Sequence, residues 1–192
     1  RVELEVAPDG SAAAMLTMVP DFDVEPAPTE IIFLCDCSGS MRGARMQLTI
    51  RAMSVLLRAL PQSCHFNLYT FGTNYKSLWP QPQPYTRATL DEASAHAAAM
   101  RATMGGTEIA KALGAICRNR PVAGDTRQLF VLTDGQVRNN DMVFNVVRKN
   151  AATTRFFSLG IGDQVSHALV DGIARVGHGT AEYVGDHDVA PS

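Results

Sequence analysis

Short apolar runs alternate along this chain with stripes of apolar residues at helical spacing, and that alternation leaves few folds open. Ile31 to Cys35 is a continuous apolar run of the kind a central strand shows when helices cover both its faces. Asp36 and Gly39 end it. Met46, Ile50, Met53, Leu57 and Leu60 then mark one face of a helix that Pro61 stops. Phe66 to Phe71 reads as the next strand, and Thr89-Leu90-Asp91-Glu92 as a capping-box opening for an alanine-rich helix reaching about Arg101. Between them, Trp79 to Pro84 reads as an extended loop that acts as a spacer. Ile109, Leu113, Ile116 and Cys117 form another helical stripe, followed by a buried strand at Leu129 to Leu132 and a helix marked by Val143, Val146 and Val147. Arg155 to Leu159, a helix with Leu169, Ile173 and Val176, and Thr180 to Val184 complete the series.

Parallel neighbours need a crossover of about a dozen residues or more, usually a helix. The alternation therefore predicts an α/β fold: a doubly wound, mostly parallel central sheet with helices on both faces. Residues 2 to 6 and 12 to 19 alternate around the turn tripeptide Pro8-Asp9-Gly10, which predicts an N-terminal β-hairpin, and Pro20 to Pro28 reads as a connector. The expected division is 1–28 for the hairpin extension and connector, and 29–192 for the α/β domain.

Composition narrows the function classes. With 192 residues, 46% hydrophobic and 19% charged, the chain can bury one sizeable core without disulfides. Seventeen Lys and Arg against nineteen Asp and Glu, a net charge of -2, disfavour a nucleic-acid groove or a membrane-binding patch. The apolar runs are far shorter than the roughly 20 residues needed to span a bilayer. Arg1 stands where an initiator Met would, and no signal-peptide core follows, so the chain reads as an excised segment. Cys35 and Cys64 lie in strand-like runs, so the cysteines are expected to be reduced and the compartment cytoplasmic rather than secreted.

In open sheets of this type a ligand binds outside the carboxyl ends of the strands, near the point where strand order reverses. There the chain places Asp36-Cys37-Ser38-Gly39-Ser40 directly after one strand, Asp134-Gly135 after another, and Gly105-Gly106-Thr107 before a helix. Two carboxylates, Asp36 and Asp134, with three hydroxyls, Ser38, Ser40 and Thr107, suit a hard divalent cation: Mg²⁺ first, with Mn²⁺ or Ca²⁺ as alternatives. Zinc is unattractive, because no His pair shows helical ligand spacing. Taken singly, Ser40 and Thr107 also suit helix caps and Asp134-Gly135 a turn.

Enzyme readings fare worse. A cysteine phosphatase needs five residues between its Cys and Arg, whereas Cys37 to Arg42 encloses four, and Cys35 meets Met41 at the required distance. A dehalogenase-type phosphatase needs an Asp where Ser38 stands. No nucleophile elbow, P-loop or dinucleotide fingerprint occurs, and Gly160-Ile161-Gly162 runs on without the third glycine. His65, His96, His167, His178 and His187 are scattered. Mg²⁺-assisted phosphoryl transfer remains as a catalytic alternative, without an evident base or nucleophile.

At these residues the sequence resembles von Willebrand factor type A domains that carry a metal-ion-dependent adhesion site. The signature D-x-S-x-S stands as Asp36, Ser38 and Ser40, with the family's separate Thr at Thr107 and separate Asp at Asp134, and the resemblance runs from about Glu30 to Val184. Asp36 to Met41, Leu132 to Gly135 and Leu159 to Gly162 look most like the intracellular branch with the type A domain-containing protein 5 group and vault poly(ADP-ribose) polymerase. Secreted inter-alpha-trypsin inhibitor heavy chains are similar. The resemblance implies that these five residues ligate the ion directly or through water, and that its open position accepts an acidic residue of a partner protein or of another domain of the full-length chain. Arg42 and Arg45 are candidates to assist that carboxylate, although both also read as exposed helix charges. Glu108 could repel the carboxylate or add an oxygen, or could complement its helix terminus. Cys37 reads as a partly exposed thiol, with a reactive thiol beside a metal as the sharper alternative. A third possibility is an ion that only ties three loops together.

Overall fold

The computed structural model describes residues 2–6, 12–16, 28–124, 126–137 and 139–185, with side chains from residue 28 onward. The first strands, β1 (Val2–Val6) and β2 (Ala12–Leu16), pair antiparallel with Val2 opposite Leu16 and Val6 opposite Ala12. The expected hairpin is thus present as a strand pair. Its Pro8-Asp9-Gly10 turn, residues 17–19 and nearly all of the connector, residues 20–27, lie outside the described residues.

The main sheet grows from β3 (Thr29–Asp36), which runs parallel to β4 (Cys64–Phe71) on one side and to β7 (Arg127–Thr133) on the other. Parallel β8 (Thr154–Ile161) and β9 (Ala181–Val184) extend it past β7. Two short antiparallel pieces, β5 (Tyr75–Ser77) and β6 (Gln83–Pro84), pair with β4. The order is β5-β4-β3-β7-β8-β9, with β6 also on β4. The mostly parallel, doubly wound sheet is as the alternation predicts. The antiparallel pieces are not: the segment read as a plain spacer contains β6, while Trp79 packs edge-on against Phe66.

Alternate side chains of β3 face opposite layers, as the twofold period of a strand requires. Ile31, Phe33 and Cys35 pack with Met46, Met53 and Leu57 of α1 (Ala44–Arg58) and Ala93 and Ala97 of α2 (Arg87–Ala98). Ile32 and Leu34 pack with Ile109 and Leu113 of α3 (Ile109–Cys117), Val143 and Val147 of α4 (Asn140–Asn150), and Leu169 and Ile173 of α5 (His167–Val176). Burial on both faces explains why β3 reads as an unbroken apolar run. Helix α2 begins earlier than its sequence indicated. Thr86 is the cap, its hydroxyl accepting from Thr89 N at 3.1 Å while the Thr89 hydroxyl accepts from Thr86 N at 2.9 Å, so Thr89 closes the capping box rather than opening it. No helix of the described residues is long and apolar enough to cross a membrane.

Candidate metal centre

The chain leaves β3 to build β4 on one side and returns through α3 to start β7 on the other. Strand order reverses there, beyond the carboxyl ends of β3 and β7, where open sheets of this type place their ligands. Asp36, the last residue of β3, is 0% exposed. Its Oδ1 accepts from Ser38 N at 2.8 Å, which turns the chain back sharply, and its Oδ2 accepts from the Thr133 hydroxyl at 2.6 Å. The Ser38 and Ser40 hydroxyls lie 3.0 Å apart. Asp134, also 0% exposed, follows β7. Its Oδ1 accepts from Gln136 N at 3.2 Å and its Oδ2 from Arg45 Nη1 at 2.9 Å, and the same Nη1 donates to the Ser40 carbonyl at 3.0 Å.

The third loop is drawn in through its backbone. Gly39 N donates to Gly105 O at 2.8 Å and Met104 N to Cys37 O at 2.9 Å, while Glu108 N donates to Gly72 O at 2.8 Å. Gly72 makes this approach possible, because a Cβ there would stand 2.3 Å from the Met104 carbonyl oxygen. Thr107 is half-buried on that loop and lines, with Gln136, a cavity of about 490 Å³ that Ile109, Val137, Met142 and Val143 close on its apolar side.

Asp36, Ser38, Ser40 and Asp134 thus share one hydrogen-bonded cluster with Thr133 and Arg45, and Thr107 sits on the adjoining loop. Arg45, which the sequence offered as an aid to an incoming carboxylate, is bonded to the centre's own groups. Arg42 and Glu108 are exposed. Sequence reasoning missed Thr133, whose only signal was its place immediately before Asp134. Cys37 is corrected: it is 2% exposed, not partly exposed, because its N–H donates to Phe71 O and its carbonyl accepts from Met104 N. Burial, seconded by the charge of Asp36, pushes its thiol up to about 12, so it stays protonated and is a poor nucleophile.

Burial also raises the Asp36 carboxyl from 3.8 to about 6, opposed by the hydrogen bonds from Ser38 and Thr133, with the nearby Asp134 adding to the rise. The folded chain therefore holds this proton more tightly than the unfolded one. The resulting stability is full below the ordinary carboxylate value and is lost as the pH rises through about 6. A cation binding at this carboxyl would compete with that proton. If a divalent cation binds here, its stabilising effect is expected to fade as the pH falls through about 6, with proton release measurable by calorimetry in buffers of different ionisation enthalpy. An Mg²⁺ effect undiminished well below that range would contradict it.

Among the described residues, no group of three or more His, Cys, Asp or Glu could hold a metal ion. A cation here has to be held by two carboxylates and neutral hydroxyls, a donor set that suits Mg²⁺ and its neighbours. The buried carboxylates supply the charge, and the hydroxyls have lone pairs to offer.

A family model described as von Willebrand factor type A domain matches residues 29–183. The chain is 38% identical over 191 residues to von Willebrand factor A domain-containing protein 5A of Homo sapiens, covering 93% of this chain but only 24% of that protein. It thus spans about a quarter of that relative's length. Among solved structures, a von Willebrand factor type A protein from Catenulispora acidiphila superposes with a TM-score of 0.71 at 18% identity, covering 82% of this chain and 39% of that one. Proximal thread matrix protein 1 from the mussel byssus, described with a zinc-occupied adhesion-site motif, superposes at 0.62 with 16% identity, covering 85% of this chain and 43% of that one.

Proposed function

The chain belongs to the von Willebrand factor type A domain family, and we propose that its centre holds a divalent cation, Mg²⁺ first, through which an acidic side chain of a partner is captured. Domains of this family commonly act in protein–protein interaction. The observation that carries the reading is the pairing of two fully buried carboxylates, Asp36 and Asp134, with adjacent Ser38 and Ser40 hydroxyls at the reversal of strand order. Asp36, Ser38, Ser40, Thr107 and Asp134 would hold the ion directly or through water. Bound there, the ion supplies an electrophilic point for a carboxylate oxygen, because a divalent cation polarises whatever oxygen fills its open position.

Asp36 is fixed by Ser38 N and Thr133, Asp134 by Gln136 N and Arg45, and Thr107 faces a cavity that gives a partner access from one side. The acidic group would come from another protein or from another domain of the full-length chain. Cys37, buried and protonated, supports a binding role rather than a catalytic one. The cysteines Cys35, Cys37, Cys64 and Cys117 are all unpaired, which supports a reducing, intracellular setting.

The test uses Mn²⁺ as a paramagnetic stand-in. Bound Mn²⁺ is expected to enhance water-proton relaxation, because one position keeps an exchanging water, and glutarate is expected to reduce that enhancement by taking the position. Binding without enhancement would leave only the structural ion. An ion series including Zn²⁺ shows whether this centre shares the mussel protein's metal.

A further inference from the structure

We propose that Arg45 sets the charge of the centre: it weakens cation binding by engaging Asp134, and it leaves the loaded centre with a positive charge that an anionic partner neutralises. The inference rests on the cation reading above and goes beyond it, since it gives Arg45 a role toward the ion rather than toward the partner alone.

Three independent features place Arg45 there. Its Nη1 spans Asp134 Oδ2 and the Ser40 carbonyl, so one guanidinium ties the loop after β3 to the loop after β7. It occupies the first turn of α1, where the aligned peptide dipoles disfavour a cation and where no acidic residue offsets it. A positive charge held at the wrong end of a 15-residue helix signals a demand other than helix stability. Finally, Gly162, at φ +87°, lets the loop after β8 pack close against the side chain, since a Cβ there would meet Arg45 Cγ and Nε at 3.2 Å.

The consequence follows from charge. The carboxylates of Asp36 and Asp134 together balance one divalent ion, so among these three side chains the guanidinium is in excess. Before the ion arrives, Arg45 neutralises the fully buried Asp134 and is itself 22% exposed. An arriving dication meets a carboxylate already engaged and a fixed positive charge beside it, which lowers its affinity. Once bound, the same excess favours a carboxylate over a neutral ligand at the open position. Glu108, exposed on the rim, acts through solvent and is screened.

The experiment compares wild type with Arg45→Gln and Arg45→Lys by Mg²⁺ and Mn²⁺ titration calorimetry, and by melting in EDTA. Arg45→Gln is expected to bind either ion about fivefold more tightly, to melt earlier in EDTA because Asp134 loses its partner, and to recover on adding Mg²⁺. Arg45→Lys stays near wild type. A residue that only shaped the site would give the opposite sign, with weaker ion binding in Arg45→Gln. Weaker or unchanged binding overturns the role of Arg45 alone. No binding in wild type, equal to that of Asp36→Asn, overturns the cation reading and this one with it. Should Arg45→Gln fail to fold, the guanidinium resonances of Arg45 in wild type are expected to shift on Mg²⁺ addition, and invariant resonances at saturating ion overturn the proposal.

Discussion

In Asp36→Asn, adding Mg²⁺ is expected to leave the melting midpoint where EDTA leaves it, whereas in wild type the ion raises it. An ion that binds only the folded chain stabilises it by about 2.7 kcal/mol at one hundred times its Kd. For a chain of this size that corresponds to roughly 5–10 °C in the midpoint. The substitution is informative because Asn keeps the shape of Asp36. Its carbonyl can still accept from Ser38 N, and its amide can donate to the Thr133 hydroxyl in place of the present bond. The EDTA midpoints should therefore lie close together, with any difference in the variant's favour, because an amide buries no charge where burial raises the Asp36 carboxyl to about 6. What it loses is the negative charge. An equal Mg²⁺-dependent rise in both proteins would mean that the ion acts elsewhere, and the centre would have to be abandoned.

The residues differ in how far the sequence exposes their role, and the reason is physical. β3 was readable because burial on both faces demands an unbroken apolar run, and the helices because their buried stripes repeat at helical spacing. β5 and β6 were not: they are three and two residues long, lie on the sheet edge, and carry exposed or half-buried side chains with no periodicity to read. The start of α2 was misplaced because Thr86 and Thr89 both suit a cap, and only their reciprocal bonds decide which one leads.

In the centre, the carboxylates and hydroxyls stood out as residue types at strand ends, since strand topology alone brings Asp36 and Asp134 together. Thr133 did not, and Arg45 stood out only as an aid to a partner's carboxylate, because the bonds these two make depend on side-chain direction across elements 97 and 89 residues apart in sequence from their partners Asp36 and Asp134. Cys37 looked accessible as part of a loop. It is buried because that loop folds back between Phe71 and Met104, contacts that no local pattern encodes.

At the other end of the same two strands, Arg127→Met is expected to cost about 3–5 kcal/mol of stability, the usual consequence of leaving one buried charge without its partner. Glu30 and Arg127 face each other across β3 and β7, 0% and 4% exposed, with Arg127 Nε donating to Glu30. Arg127 also donates to the Ile116 carbonyl at 2.8 Å and the Asn119 carbonyl at 3.2 Å, while Glu30 accepts from Val122 N at 2.6 Å. The pair thus gathers the end of α3 and the loop before β7 onto the sheet, fixing where β7 begins and so where Asp134 emerges. In Arg127→Met, Glu30 keeps its charge but only a backbone donor. Adding Glu30→Gln removes that charge while keeping an acceptor for Val122 N, so the double variant is expected to be more stable than Arg127→Met alone in urea unfolding. A double variant no better than the single would show that the lost carbonyl bonds, not the orphaned charge, dominate. Both variants should still melt later with Mg²⁺ than with EDTA, because the proposed cation centre lies at the opposite strand ends.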